Sequence, residues 1–265
     1  MQAFKLVSDD ARFLSATSPA DRLFHVAKVP SMRCITRDLQ LALSLIVVAA
    51  LSGCDMLGFH EWQWRQKLTV SVMTPEGLKS GSSVTSARIE FPPKWTGVGD
   101  AAGMQRGGVT GEAVALDLGE GRYLFALLQG YTEWTAYTAF FPELEGKALL
   151  KKEIFPYLDR LVANTGQSRD VPREHYPLLV TFDDIADPTS VKRVDPANFE
   201  ASFGPGYRLK SIAMSITDES VIEGRIQKML EWLGPYPEPK LSPATGRTTD
   251  IPFSRSVSHG DFIRR

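Results

Sequence analysis

The chain has 265 residues, 43% of them hydrophobic and 23% charged, which is typical of a globular protein large enough to bury its own core. The formal net charge is −1 at pH 7. A broad basic surface is therefore not expected, and nucleic acid is excluded as a partner.

The first methionine is followed by a second at Met32, and residues 1–31 between them show no clean hydrophobic periodicity. We interpret Met32 as the true start of the protein. Residues 1–31 are then an extension that results from a start codon assigned too far upstream, or a disordered extension. If residues 1–31 are translated, the apolar segment that follows them would instead be a signal anchor with a short cytoplasmic extension.

The most informative segment runs from residue 32 to residue 54. Residues 39–52 (LQLALSLIVVAALS) carry no charge and follow two basic residues, Arg33 and Arg37. As a helix this run would be roughly 21 Å long, whereas the hydrocarbon core of a bilayer is about 30 Å thick. A run of this length is typical of the apolar region of a signal peptide, with a buried core helix as the alternative.

The residues that end this run, Leu51-Ser52-Gly53-Cys54, resemble the lipobox of bacterial lipoproteins. In that family the cysteine thiol receives a diacylglyceryl group, the signal peptide is cleaved before the cysteine, and the new amine is acylated. The resemblance implies a signal peptide at residues 32–53, cleavage between Gly53 and Cys54, and a lipid-anchored tether at residues 54–61. It places the protein in the cell envelope, held to a membrane and facing the periplasm.

Two further expectations depend on this resemblance. Asp55, directly after the cysteine, resembles the inner-membrane retention signal of enterobacterial lipoproteins. Cys34 would leave with the signal peptide while Cys54 is lipidated, so the mature domain would contain no free thiol. Thiol catalysis and cysteine-based zinc sites are then excluded.

Residues 62–130 predict an antiparallel β-rich module. Apolar and polar residues alternate along most of its segments, as in strands that bury one face. Four strands are predicted, at residues 67–73, 83–91, 112–118 and 122–128. Residues 58–66, which include Trp62 and Trp64, either begin a strand or lie at the membrane interface, and we favour the strand. The glycine-rich residues 96–111 are predicted to form a loop.

Residues 131–235 predict a mixed α/β module, so the fold class is α+β. The predicted elements are one kinked or two short helices over residues 142–163, strands at 176–182 and 208–216, and a helix at 217–233. Residues 236–265 contain four prolines and few apolar residues, which predicts an extended or disordered tail. Residues 176–184 (YPLLVTFDD) resemble segments of uncharacterised proteobacterial proteins, and that resemblance implies no activity.

Candidate metal ligands are Asp183, Asp184 and Asp187, which follow a predicted strand and could hold a hard cation such as Ca²⁺. Their spacing matches no EF-hand loop, and Asp187 precedes a proline, so we interpret them as turn carboxylates exposed to solvent. His60, His175 and His259 have no metal-ligand spacing. No metal and no cofactor is therefore predicted.

The richest aromatic stretch contains Tyr131, Trp134 and Tyr137, which could form a helix face that recognises a partner or could belong to the core. No catalytic residue is assigned, because Ser82 and Ser83 lack the Gly-x-Ser-x-Gly pattern of a hydrolase elbow. We expect a non-enzymatic envelope lipoprotein that binds a partner protein. The alternatives are an envelope hydrolase and a solute-binding accessory protein of a transporter.

Overall fold

The computed structural model describes residues 58–234, 240–242 and 251–265, all of which belong to one unit, Gly53–Arg265. The predicted extension, signal peptide and lipidated Cys54 lie outside the described residues. Ten strands are described: β1 (His60–Thr74), β2 (Gly77–Phe91), β3 (Arg106–Glu112), β4 (Val114–Gly119), β5 (Arg122–Ala126), β6 (Ser168–Asp170), β7 (Leu179–Phe182), β8 (Val191–Arg193), β9 (Arg208–Ile216) and β10 (Ile263–Arg264). Five α-helices are described: α1 (Trp134–Phe140), α2 (Lys151–Ala163), α3 (Glu200–Phe203), α4 (Arg225–Met229) and α5 (His259–Phe262).

The strands form two antiparallel sheets. The larger sheet has the order β10-β3-β2-β1-β9-β6, and the smaller has the order β4-β5-β7-β8. Antiparallel sheets with a few helices make the domain α+β, as the sequence predicts. The strands of residues 62–130 are divided between the two sheets, and each sheet also contains strands from later in the chain.

The hairpin of β1 and β2 forms the middle of the larger sheet. The two strands pair along their whole length, from His60 with Phe91 to Thr74 with Gly77. Along β1 every second residue from Trp64 onward is buried, which is the period expected of a strand with one face in the core. The predicted strands at 67–73 and 83–91 are thus confirmed, and each extends beyond its predicted bounds.

The two sheets approach each other closely where β2 meets β4. A Cβ atom on Gly81 would lie 2.9 Å from the carbonyl oxygen of Ala115, so only glycine allows this approach.

Helices α1 and α2 pack against each other, and α2 also packs on β1 while α1 packs on β9. Helix α2 continues through Pro156. Among the described residues, no helix combines the length and the apolar character required to cross a membrane.

Three sequence predictions are wrong. The predicted helix at 217–233 is reduced to α4, because residues 217–224 form a connection in which Ile222 donates its N–H to the carbonyl of Val84. The predicted loop at 96–111 contains most of β3. The predicted disordered tail is also wrong for residues 251–265, which form α5 and β10 and bury Phe262 completely.

Candidate functional site

Tyr131, a candidate for partner binding, lies in the core and is only 1% exposed. Its hydroxyl shares a hydrogen bond of 3.1 Å with that of Thr85. Removal from water disfavours the phenolate, so burial raises the pKa of Tyr131 to about 12. The neighbouring Gln66, also fully buried, accepts a hydrogen bond from the indole of Trp64 at 2.9 Å. This polar network stabilises the interior and offers no surface to a partner.

The other two aromatic candidates lie on α1. Tyr137 is buried, and its ring packs edge-on against Trp134 at 5.3 Å between centroids. Trp134 is half-buried, while Tyr137 also faces Tyr157 of α2. The stretch therefore joins two helices, which corresponds to the core interpretation rather than to a recognition face.

Two of the three candidate aspartates stabilise turns, and the third forms an ion pair at the surface. Asp183 forms an exposed ion pair of 2.5 Å with Lys192 of the adjacent strand β8. Asp184 accepts a hydrogen bond from the N–H of Ala186 at 2.9 Å, and Asp187 accepts one from the N–H of Thr189 at 2.8 Å. Each carboxylate has its own local partner, and the three do not converge on a common point that would hold a cation.

A different trio of ligands meets at the surface. Glu145, Glu174 and His175 place one ligand atom each within 4.8 Å of one another, and the Nε2 atom of His175 lies 2.9 Å from Glu145. Among the described residues, these three side chains form a group that could hold a metal ion. The contact between His175 and Glu145 also links two loops without a metal ion. The spacing of residues in the sequence did not reveal this group, because Glu145 and His175 are thirty positions apart.

The edge of the larger sheet at β3 is the feature that suggests recognition of a partner. Residues 106–110 pair with β2 on one side. On the other side, β10 pairs only with Gly111 and Glu112. Within the described ranges, no strand therefore covers the outer edge of residues 106–110, and an exposed edge of this kind is a template for another extended chain.

A groove of about 430 Å³ lies along this edge. It is lined by Arg88 and Glu90 of β2, by residues 106–110 of β3, and by Arg264 and Arg265. Gly108 leaves open space on one face of β3, since a Cβ there would meet no atom within 4 Å, whereas Glu133 lies against Gly107. The groove is thus shaped for a main chain and carries positive charge.

Some of the charged side chains that line the groove are bound to other groups of the protein, and others are exposed and could contact a partner. Arg88 is bound by Glu61 and Glu90. The guanidinium of Arg264 donates to backbone carbonyls, including that of Leu128 at 2.7 Å, and so fixes β10 in place. Arg106 forms no ion pair with any other described residue and remains exposed. Arg106 is therefore the cation best placed to meet an incoming carboxylate.

Sequence reasoning missed this edge. Arg106 and the two glycines fell within the segment predicted as a loop, because glycine contributes nothing to an alternating pattern. Within β3 only Val109, Gly111 and Glu112 are buried, so the period of two is hardly visible. Which edge is left open also depends on how distant strands pair.

Comparison with protein-family models, with curated proteins and with solved structures finds no match to this chain.

Proposed function

We propose that the protein is a lipid-anchored lipoprotein of the bacterial envelope, whose periplasmic domain binds a partner protein without catalysing a reaction. The lipobox at Leu51-Ser52-Gly53-Cys54 supports the anchor, with the signal peptide cleaved before Cys54 as in the lipoproteins it resembles. Asp55 supports retention at the inner membrane. Two or more acyl chains are sufficient to hold a protein at a bilayer stably.

The open edge of β3 carries the partner-binding part of the proposal. An extended segment added to a sheet edge forms main-chain hydrogen bonds that provide affinity, while flanking side chains provide specificity. Gly108 leaves room for such a segment, because no atom lies within 4 Å of a Cβ there. The partner segment is extended and acidic, because Arg106 and Arg265 line the groove and arginine binds carboxylates with strong charge-assisted hydrogen bonds.

The anchor is tested by intact mass of the protein extracted from membranes. We expect a chain that begins at an acylated Cys54, and loss of this species in a Cys54→Ala variant. A matched Cys34→Ala variant should be processed normally, because Cys34 lies within the removed peptide. A chain that retains residues 32–53 and carries no lipid would refute the proposal.

Partner binding is tested with labelled peptides and fluorescence anisotropy. An extended peptide of alternating valine and glutamate should bind, whereas the same peptide with lysine in place of glutamate should not. Gly108→Glu should weaken binding at least tenfold, since its side chain fills the groove and repels the probe. No atom lies within 4 Å of a Cβ on Gly108, so the fold should tolerate the change.

The control is Ser168→Glu, which places the same charge on β6, the strand at the opposite edge of the same sheet. This variant should bind the acidic peptide like the wild type. Equal loss in both variants would show that binding depends only on overall charge. Binding unaffected by Gly108→Glu would show that β3 is not the docking edge.

A further inference from the structure

Several large apolar side chains are exposed at the end of the β1–β2 hairpin where β1 begins. They come from the residue before β1, the loop after β2 and the residue before α2. The most exposed are Val98 at 92%, Leu150 at 72% and Trp95 at 67%. Phe59 and Met104 complete the set. We call these five residues the anchor-proximal surface, because Phe59 is close in sequence to Cys54.

Contacts hold the segments of this surface together. The rings of Phe59 and Trp95 meet edge to face at 5.5 Å between centroids. Lys151, next to Leu150, donates a hydrogen bond to the carbonyl of Gly103 and so ties the start of α2 to the loop after β2. The apolar residues are therefore presented together at one end of the sheet.

Lysines outnumber acidic residues beside these apolar side chains in the sequence. Residues 92–105 and 146–153 contain Lys94, Lys147, Lys151 and Lys152 against Asp100 and Glu153. The carboxylate of Glu153 accepts a hydrogen bond of 2.7 Å from the N–H of Leu150. Exposed aromatic residues beside lysines are the composition found where proteins meet the headgroups of a membrane. Lysines near a bilayer are attracted to anionic lipids.

The length of the tether connects this surface to a bilayer. Five peptide units separate Cys54 from Phe59, and a fully extended chain of that length spans at most about 18 Å. If Cys54 carries the lipid, the Cα of Phe59 cannot lie farther than this from the Cα of the anchored residue. Whatever the path of the tether, the end of the domain that holds Phe59 is the end nearest the membrane.

We propose that the anchor-proximal surface rests on the lipid bilayer, with Trp95 and Val98 entering the headgroup region and the lysines contacting anionic lipids. This inference rests on the proposed lipid anchor. It assigns the anchored domain a defined orientation, in which the β1–β2 turn at Thr74–Gly77 points away from the membrane. A β1 strand of fifteen residues separates the two ends by about 50 Å.

The test uses the mature lipidated protein, which begins at Cys54, in vesicles of phosphatidylethanolamine and phosphatidylglycerol, prepared with and without brominated acyl chains. Bromine quenches tryptophan fluorescence only at short range. We expect brominated lipid to quench part of the emission of the wild type and this part to be lost in Trp95→Phe. Val98→Glu should reduce the quenching, because a carboxylate on that exposed side chain opposes insertion.

The matched control places a reporter at the far end of the hairpin. Leu78 is 59% exposed beside the β1–β2 turn, and a Leu78→Trp, Trp95→Phe double variant should show no quenching beyond that of Trp95→Phe. Quenching of that reporter would overturn the orientation. The orientation would also be overturned if brominated lipid left the emission of Trp95 unchanged. That result would include the case in which a second copy of the chain, and not the bilayer, covers the surface.

The intact mass of the same preparation separates the two proposals. A lipid on Cys54 with no quenching of Trp95 refutes the membrane-facing surface and leaves the anchor in place. An unlipidated chain refutes the anchor and removes the orientation argued from it.

Discussion

The carboxylate of Glu112, at the end of β3, accepts a hydrogen bond of 3.0 Å from the backbone N–H of Ile226 in α4. The same carboxylate accepts from the N–H groups of Gly224 and Arg225. Glu112 is only 3% exposed. One buried acid thus satisfies three N–H donors at the beginning of a short helix, where the helix itself provides no acceptors and the dipole favours negative charge.

Glu112→Gln should lower the free energy of unfolding by about 2 kcal/mol. The amide keeps a single acceptor oxygen and turns a donor toward N–H groups that already need acceptors, and buried donors left unpaired are costly. Urea denaturation measures the change. The matched control, Glu223→Gln, alters an exposed carboxylate and should change the free energy by less than about 0.5 kcal/mol. Equal effects would show that the three hydrogen bonds do not stabilise the fold.

The same contact shows why the sequence mispredicted this region. Apolar residues at helical spacing favoured a helix over 217–233, yet the helix begins only where the Glu112 carboxylate meets the chain. The strand at 208–216 was predicted with its observed bounds, because its alternating pattern is local. Strand β10 was missed because its pairing with β3 joins residues about 150 positions apart.

Tyr131→Phe should change how stability depends on alkaline pH. Burial raises the pKa of Tyr131 from 10 to about 12 in the folded state. The folded state thus favours the neutral phenol, and this contribution is complete below pH 10 and is lost as the pH rises through 12. Ionisation of Tyr131 therefore lowers the free energy of unfolding of the wild type by about 1.4 kcal/mol between neutral pH and pH 11.

Urea unfolding of the wild type and Tyr131→Phe at pH 8 and pH 11 measures this effect. At pH 8 the variant should be less stable by about 1 kcal/mol, because it loses the hydrogen bond to Thr85. By pH 11 the difference should vanish or reverse. Comparison with the wild type cancels the contributions of Tyr137 and Tyr176, whose pKa values are also raised. A difference that does not change with pH would contradict a buried phenol at this position.

Gly107→Ala and Gly108→Ala should differ although the two residues are adjacent. A Cβ on Gly107 would lie 2.6 Å from Oε1 of Glu133 and 2.9 Å from the carbonyl oxygen of Arg88. The backbone oxygen cannot move without disturbing the pairing of β2 with β3, so Gly107→Ala should cost about 1–3 kcal/mol. Gly108→Ala meets no atom within 4 Å and should be neutral or slightly stabilising.

Thermal unfolding of the two variants measures the contrast. A lower unfolding temperature in Gly107→Ala alone would support the close packing of Glu133 beside Gly107 and the free space beside Gly108. Equal destabilisation would mean that the groove beside Gly108 is filled in solution, which would also count against this edge as a docking site.

Phe262→Ala should be among the most damaging single changes in the domain, although it lies in the segment whose composition predicted disorder. The ring is fully buried and packs against Phe125, Phe182 and Trp232 at 5.9–6.2 Å between centroids. Truncating such a ring costs about 3–5 kcal/mol, from lost burial and from the cavity left behind. Ile251→Ala, in the same segment but 68% exposed, should change the free energy of unfolding by less than about 0.5 kcal/mol. If both variants unfold at the same urea concentration as the wild type, residues 251–265 do not pack on the core. Strand β10 would then not cover Gly111 and Glu112, and the unpaired edge of β3 would extend to Glu112.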